Sequence, residues 1–291
     1  MISVVIPTYD RPDLLKETLS SLAKCKIPAT YRELVVIENG MKTGAEILVA
    51  QLPEKLNARY MFVKQGNKSN ALNEAIASVD GGVVIFTDDD ARFSSGFITA
   101  YAEASAKYKE GVYFGGPVMI DKDDPFPDWM EPLLPHSARG YDLVNERMNN
   151  SYLGINWAAF ASDIKKLGGF DIRFGPGSST GATGQETDMQ RRMKQAGMKQ
   201  IDVLDAVVWH RVTKASYKEE WLVNRYFKYG ISKGVKKHTL KDMLLEFFNA
   251  GKYMVRWMVY LILLNKMERK KSKMEIVTRL GYFYFILKKS N

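Results

Sequence analysis

The sequence predicts an α/β fold, a mainly parallel and doubly wound sheet followed by a helical, basic extension. Three observations predict it. Short Val/Ile-rich runs alternate with segments of helical periodicity over residues 1–90. Charge divides the chain: residues 214–291 hold 18 Lys/Arg against 6 Asp/Glu, leaving 24 against 27 for residues 1–213, so the formal +9 belongs to the tail. The 291 residues, 46% hydrophobic and 26% charged, are enough for a large core and are not the composition of a disordered chain.

In chain order, "ISVVIP" (2–7), "ELVVIE" (33–38), "ARYMFV" (58–63) and "GVVIFT" (82–87) are apolar nearly throughout, as strands covered on both faces should be. Between them, "PDLLKETLSSLAKC", "TGAEILVAQL" and "SNALNEAIASV" carry apolar residues at helical spacing. Four successive βα units imply a parallel sheet. "YFGGPVMI" (113–120) reads as one further strand, and 121–140, with four prolines, as a loop over the sheet edge or an active site. "NWAAFASDIKKLGGFD" (156–171) reads as a strand, a short helix and a glycine turn. The Gly-rich "GPGSSTGATG" (175–184) feeds the helix "QETDMQRRMKQAG" (185–197), and "KQIDVLDAVVWHRV" (199–212) holds two short strands.

From about Tyr217 the pattern is helical and basic. "LLEFFNAGKYMVRWMVYLILLNK" (244–266) has a long apolar face interrupted by Lys252 and Arg256. Its uninterrupted run, Trp257 to Leu264, is far below the ~20 residues that span a bilayer. Apolar and aromatic residues flanked by Lys/Arg over 240–291 suit a helix lying in a membrane interface. The alternative is an ordinary helical subdomain packed on protein. A basic surface seeks nucleic acid, anionic lipid or another polyanion; no zinc knuckle, recognition helix or RRM motif supports nucleic acid. Cys25 is the sole cysteine, compatible with a reducing cytoplasm. "MISVVIPTYDR" enters a strand at once, so export by a signal peptide is not expected.

The chemistry concentrates in "VVIFTDDDARF" (83–93), a buried-strand run that ends in Asp88, Asp89 and Asp90. Ligands of open parallel sheets bind at strand ends, where a divalent cation would relieve carboxylate repulsion and bridge to phosphate oxygens. Strand alternation puts Asp88 and Asp90 on one side and Asp89 elsewhere. A solvated acidic turn with Asp90 as a helix cap is the plainer alternative.

The order of segments decides between them. "VVIPTYDR", "LVVIENG", "GNKSNALNEAI", "VIFTDDDARF", "KLGGFDIRFG", "GQETDMQRRMKQAG" and "AVVWHRV", spread over about residues 1–212, together resemble the family 2 glycosyltransferases with the Rossmann-like GT-A fold. The resemblance implies an inverting enzyme that takes a sugar from a nucleotide-diphospho-sugar donor to a glycan or lipid-linked glycan acceptor. It implies a catalytic domain at 1–213, with a nucleotide-sugar half at about 1–120 and an acceptor half at about 121–213, and an extension at 214–291. Pro7, Thr8, Tyr9 and Arg11, then Glu38, match the positions that cradle base and ribose, although Asp is commoner than Glu at the last. Lys68 matches a phosphate or base contact at a helix N-terminus, and Asn73 serves packing or ribose orientation. Asp88 and Asp90 match the Asp-X-Asp acids, with Asp90 on Mn²⁺ or Mg²⁺, Asp88 on ribose or metal, and Asp89 between them beside the nucleotide. Glu186 falls at the catalytic base, with Asp188 as its backup or as a partner of Arg192, and Gln185 replaces an acid. His210 is either a metal ligand or a half-buried residue. Trp157 and Gly168–Gly169 fall in the acceptor region, where packing is the simpler role for Trp157. The implied location is cytoplasmic, peripheral on the inner membrane face. The competing expectations are a sugar-phosphate nucleotidyltransferase, against which "PTYDRPD" is poor in glycine, and a non-catalytic membrane- or polyanion-binding adaptor.

Overall fold

The computed structural model describes residues 1–145 and 151–290. Its elements run β1 (Ile2–Thr8), α1 (Pro12–Leu22), β2 (Tyr31–Asn39), α2 (Ala45–Ala50), β3 (Ala58–Val63), α3 (Lys68–Ser78), β4 (Val83–Phe86), β5 (Ala91–Phe93), α4 (Phe97–Ser105), β6 (Val112–Gly115), β7 (Val118–Lys122), α5 (His136–Arg139), β8 (Trp157–Phe160), α6 (Ala161–Lys166), α7 (Gln185–Gln195), β9 (Lys199–Asp202), β10 (Val208–Val212), α8 (Glu219–Lys236), α9 (Leu240–Ile262) and α10 (Lys266–Ser290). They form two compact units. One comprises Met1–Lys122, His136–Ile172 and Gly184–Val212; the other comprises Asp123–Pro135, Arg173–Thr183 and Thr213–Asn291.

In the first unit a seven-stranded sheet has the order β3-β2-β1-β4-β8-β6-β9, and β5-β10-β7 form a second sheet. β1, β2, β3 and β4 run parallel, while β8 is antiparallel to both β4 and β6. Every residue of β1 and β4 is buried, which is why these strands lack polar alternation. Helix α1 starts at Pro12, whose fixed φ suits the first turn, and lays Leu15, Leu19 and Leu22 on the sheet. The chain winds from β1 outward to β2 and β3, then returns on the other side of β1 as β4. The loops leaving β1 and β4 therefore part at the point where strand order reverses, the crevice in which open α/β sheets bind ligands.

One expected strand is corrected. Residues 113–120 are not continuous: β6 ends at Gly115 in the large sheet, and β7 starts at Val118 in the small one. Pro117 has no N–H to continue a ladder, and Gly116 lies against the Ala206 carbonyl and the Asn156 amide, where a Cβ would collide. The short strand β5, straight after the three aspartates, was not anticipated.

In the second unit α8 and α10 cross at contact distance. A Cβ on Gly230 would stand 1.9 Å from the Thr278 carbonyl oxygen, and one on Gly281 2.0 Å from that of Phe227. Two loop pieces, from the Pro-rich and Gly-rich segments, join these helices because their apolar residues have partners there. Phe126 meets Tyr217 edge to face, Tyr226 donates to the Leu133 carbonyl, and Phe174 and Ala182 pack with Ile231 and Val235. Thr239 and Asp242 form a reciprocal capping box at the start of α9. Among the described residues no helix is long and apolar enough to cross a membrane.

Candidate active site

The three aspartates leave β4 with three different partners. Asp88 receives the Lys68 ammonium at 2.5 Å. Asp89, buried, accepts from the Thr8 hydroxyl at 2.7 Å and lies 3.5 Å from Arg11. Its carbonyl accepts from the Thr18 hydroxyl at 2.8 Å, which in turn accepts the Ala91 N–H at 3.0 Å. Asp89 thus ties the end of β4 to the end of β1 and to α1. The strand ends at Phe86, and in the turn that follows Asp89 is the buried one of the three, where β1 and α1 supply donors. Burial pushes its carboxyl up to about 6, with Asp90 adding to the effect and Arg11 and Thr8 opposing it.

Asp90 accepts from Arg11 at 3.1 Å through Oδ2, while its Oδ1 is buried without a hydrogen-bond partner and stands 3.5 Å from His210 Nε2. Burial opposes ionisation of Asp90, but His210, Arg11 and Lys68 outweigh it and hold the carboxyl below its usual range. His210 reaches this point from β10, and its Nδ1–H donates to the Ser137 carbonyl at 2.6 Å. A carbonyl can only accept, so the proton sits on Nδ1 and Nε2 faces Asp90. Burial lowers the pKa of His210, but Asp90 and the Ser137 carbonyl raise it further.

Lys68 opens α3, whose N-terminus is capped by the Asn67 side chain accepting from Asn70 N–H at 3.0 Å. Burial works against the charge of Lys68, yet Asp88 above all, with Glu186 and Asp89, raises its pKa. Glu186, on the first turn of α7, is therefore within electrostatic reach of Lys68. It also lies over Gly154, where an added Cβ would be 3.4 Å from the carboxyl carbon. Gln190, one turn further, clamps the approach to Gly154 by accepting from Tyr152 N–H at 2.7 Å and donating to its carbonyl at 3.1 Å.

Asp188 takes a different course. It is buried and bound by Arg191 at 2.7 Å and Arg192 at 2.9 Å, and Arg192 also donates to the Leu167 and Gly169 carbonyls at 2.7 Å each. This pair holds the glycine turn after α6 to α7. Asn73 also binds that turn, donating to the Phe170 carbonyl at 2.9 Å and accepting its N–H at 2.7 Å.

At the end of β1, Pro7 is buried opposite Ile37, and Tyr9 is 52% exposed. The Tyr9 ring lies over Gly40 and Gly66: a Cβ on Gly40 would stand 2.6 Å from the ring. Glycine at Gly40 leaves room for the ring, which stays half in solvent. Glu38 is buried and accepts from Thr43 N–H at 2.6 Å, the Thr43 hydroxyl at 2.7 Å and the Tyr60 hydroxyl at 2.7 Å. Three of its roughly four acceptor positions are thus taken by the protein. Trp157 is 1% exposed and stacked on Phe86, a core residue with no face for a sugar. Sequence reasoning missed Thr18, Gln190, Thr43 and Tyr60. Thr18 had a legible signal, a hydroxyl on the otherwise apolar face of α1; Thr43 lies five residues from Glu38, while Gln190 and Tyr60 lie remote in sequence from the groups they hold.

Residues 3–163 match the family model described as glycosyl transferase family 2. The chain belongs to this family. A relative from Haloferax volcanii, a glucosyl-dolichyl phosphate glucuronosyltransferase, is 26% identical over 269 residues, covering 84% of each chain. The mannosyltransferase PcManGT from Pyrobaculum calidifontis, solved with GDP-Man and Mn²⁺, superposes with TM-score 0.65 at 17% identity, over 100% of this chain and 88% of its own. Staphylococcus aureus TarS 1–349 with UDP-GlcNAc gives TM-score 0.55 at 14% identity, over 99% and 91%. As a family 2 glycosyltransferase the chain is an enzyme on a GT-A fold with a C-terminal helical region.

Among the described residues no three His, Cys, Asp or Glu side chains converge into a preformed metal cage. The donors present still fit a hard divalent cation that is completed by substrate phosphates and water. The orphaned Asp90 Oδ1 and His210 Nε2 converge, and the Nδ1–H bond to Ser137 orients the imidazole as a ligating histidine is oriented.

Proposed function

We propose that this glycosyltransferase moves a sugar, with inversion, from a nucleotide-diphosphate donor to a hydroxyl of a glycan or lipid-linked glycan used in cell-surface polysaccharide or glycoconjugate synthesis. What supports the proposal is Glu186 in the first turn of α7, beside Gly154 and within electrostatic reach of Lys68, which itself binds Asp88. The half-exposed ring of Tyr9 stacks the base, and the backbone amides around Thr43, held by Glu38, border the base and ribose. Lys68 and Arg11 meet phosphate, and Asp88 meets ribose or metal. Asp90 and His210 would hold Mn²⁺ or Mg²⁺, which when bound supplies Lewis-acid stabilisation of the leaving diphosphate.

Glu186 accepts the proton of the acceptor hydroxyl as its oxygen bonds to the anomeric carbon and the bond to the diphosphate breaks. One displacement inverts the centre. Asp188, closed off by two arginines, positions α7 and does not exchange protons with substrate.

The test is turnover with candidate nucleotide-sugars, read as release of nucleoside diphosphate. E186Q should lower kcat by about 10²–10⁴-fold with donor affinity nearly unchanged. Release of pyrophosphate instead would favour the nucleotidyltransferase, and full activity in E186Q would remove the base assignment.

A further inference from the structure

Helix α9 is polar where it is packed and apolar where it is bare. Its packed side presents Glu246, buried between Lys233 of α8 and Arg279 of α10. Its outward side presents Leu244, Phe247, Phe248, Val255 and Ile262, with Phe248 71% and Ile262 79% exposed. Positions 244, 248, 255 and 262 recur at helical spacing on one arc. The arc continues past the helix end into Leu264, which is 83% exposed and holds a positive φ of 55°, costly for leucine, so the tip between α9 and α10 projects an apolar side chain.

The unpaired charges beside this face are of one sign. Lys241 and Lys252 stand exposed along one edge of the arc, and Lys266 stands exposed beyond the tip. Asp242 is turned back into the capping box and Glu246 inward, so neither carboxylate of α9 joins the arc. Arg256, at the edge, is paired with Glu268. The helix is about 35 Å long at 1.5 Å per residue, yet it does not qualify to cross a bilayer.

We infer that the outward face of α9 and the Leu264 tip form a membrane-interface surface for anionic phospholipid, with the apolar arc among the acyl chains and Lys241, Lys252 and Lys266 at the phosphates. A second copy of the chain suits the face less well, because it would bring like-charged lysine rims together. Lipid phosphate is of the opposite sign, and the net +12 of residues 214–291 adds to the attraction. The inference stands on the helical unit alone and not on the donor, base or metal assignments.

The test is co-sedimentation of the full chain, without nucleotide or acceptor, with vesicles of phosphatidylcholine alone and of phosphatidylcholine with phosphatidylglycerol. The chain should pellet with the mixed vesicles, and less so as salt rises. F248D/I262D should lower partitioning about tenfold or more, and K241E/K252E should abolish the preference for the anionic vesicles. All four positions are exposed, so unfolding midpoints should stay near wild type. As a measurement that does not depend on loss of function, I262C carrying an environment-sensitive fluorophore should shift to the blue on mixed vesicles. Three results would overturn the inference: a supernatant chain with both vesicles, an unshifted probe, or a dimer in ultracentrifugation that F248D/I262D dissociates without vesicle binding. None of them bears on glycosyl transfer, which is read separately as nucleoside diphosphate release.

Discussion

At the scale of single residues, the aromatic side chains divide between two tasks that composition cannot separate. Trp157 sits among Phe86 and Phe170 in the core, and W157A should cost about 3–5 kcal/mol of stability, measured by denaturant unfolding. Tyr9 is half in solvent, and Y9A should leave the unfolding midpoint within about 0.5 kcal/mol while weakening nucleotide binding in calorimetry. Cys25 offers a pH prediction. Burial pushes its thiol up to about 11 and leaves it 2% exposed, so its thiolate is scarce at any pH below that value. Aromatic disulfide reagents at pH 8 should modify it slowly in the folded enzyme and at once in denaturant. The aspartate triplet is also a residue-scale result. Strand alternation predicts Asp88 paired with Asp90, but the strand ends at Phe86, Asp88 binds Lys68 and Asp90 binds Arg11, and the anchoring of Asp89 depends on Thr8 and Thr18, more than 70 positions away.

At the scale of elements, short helices and strands were readable wherever burial imposed a simple period. The first three helices and four parallel strands appear where the apolar pattern puts them. The break between β6 and β7 was marked by Gly116–Pro117, but the apolar run on both sides of it masked the change of sheet. The contact of α8 with α10 shows a dependence that pattern does not express. In either helix a glycine to alanine change would ordinarily raise helix propensity by about 1 kcal/mol. Here G281A should destabilise the helical unit by about 1–3 kcal/mol instead, because the new methyl meets the Phe227 carbonyl. Thermal unfolding and limited proteolysis of the α8–α10 region would read the sign.

At the scale of the whole molecule, two compact units carry separable properties. The first holds the crevice, its acids and the cations that balance them; the second holds most of the excess positive charge and the bare apolar arc. Nucleoside diphosphates and nucleotide-sugars should raise the melting temperature by mass action, worth about 2.7 kcal/mol at a hundredfold excess over Kd. Mn²⁺ should enlarge the shift for the wild type, while D90N should lose most of that enlargement and keep a nucleotide response through Tyr9. A metal-independent shift in the wild type would count against Asp90 and His210 as the metal donors.

The sequence by itself determined the first four parallel strands and the helices between them, the family, and the acids that follow β4 and open α7, because these follow from local periodicity and from residues close in the chain. Only the tertiary structure decided what surrounds each acid. Asp89 is held by Thr8 and Thr18 and Glu38 by Tyr60, all on other elements, whereas Asp188 is held by Arg191 and Arg192 of its own helix and Asp90 stands beside His210 from β10. The physical reason is that a carboxylate's surroundings are the charges and N–H or O–H groups within a few ångströms of it: for Asp188 these lie one helical turn along the chain, while for Asp89 and Asp90 only folding brings them together.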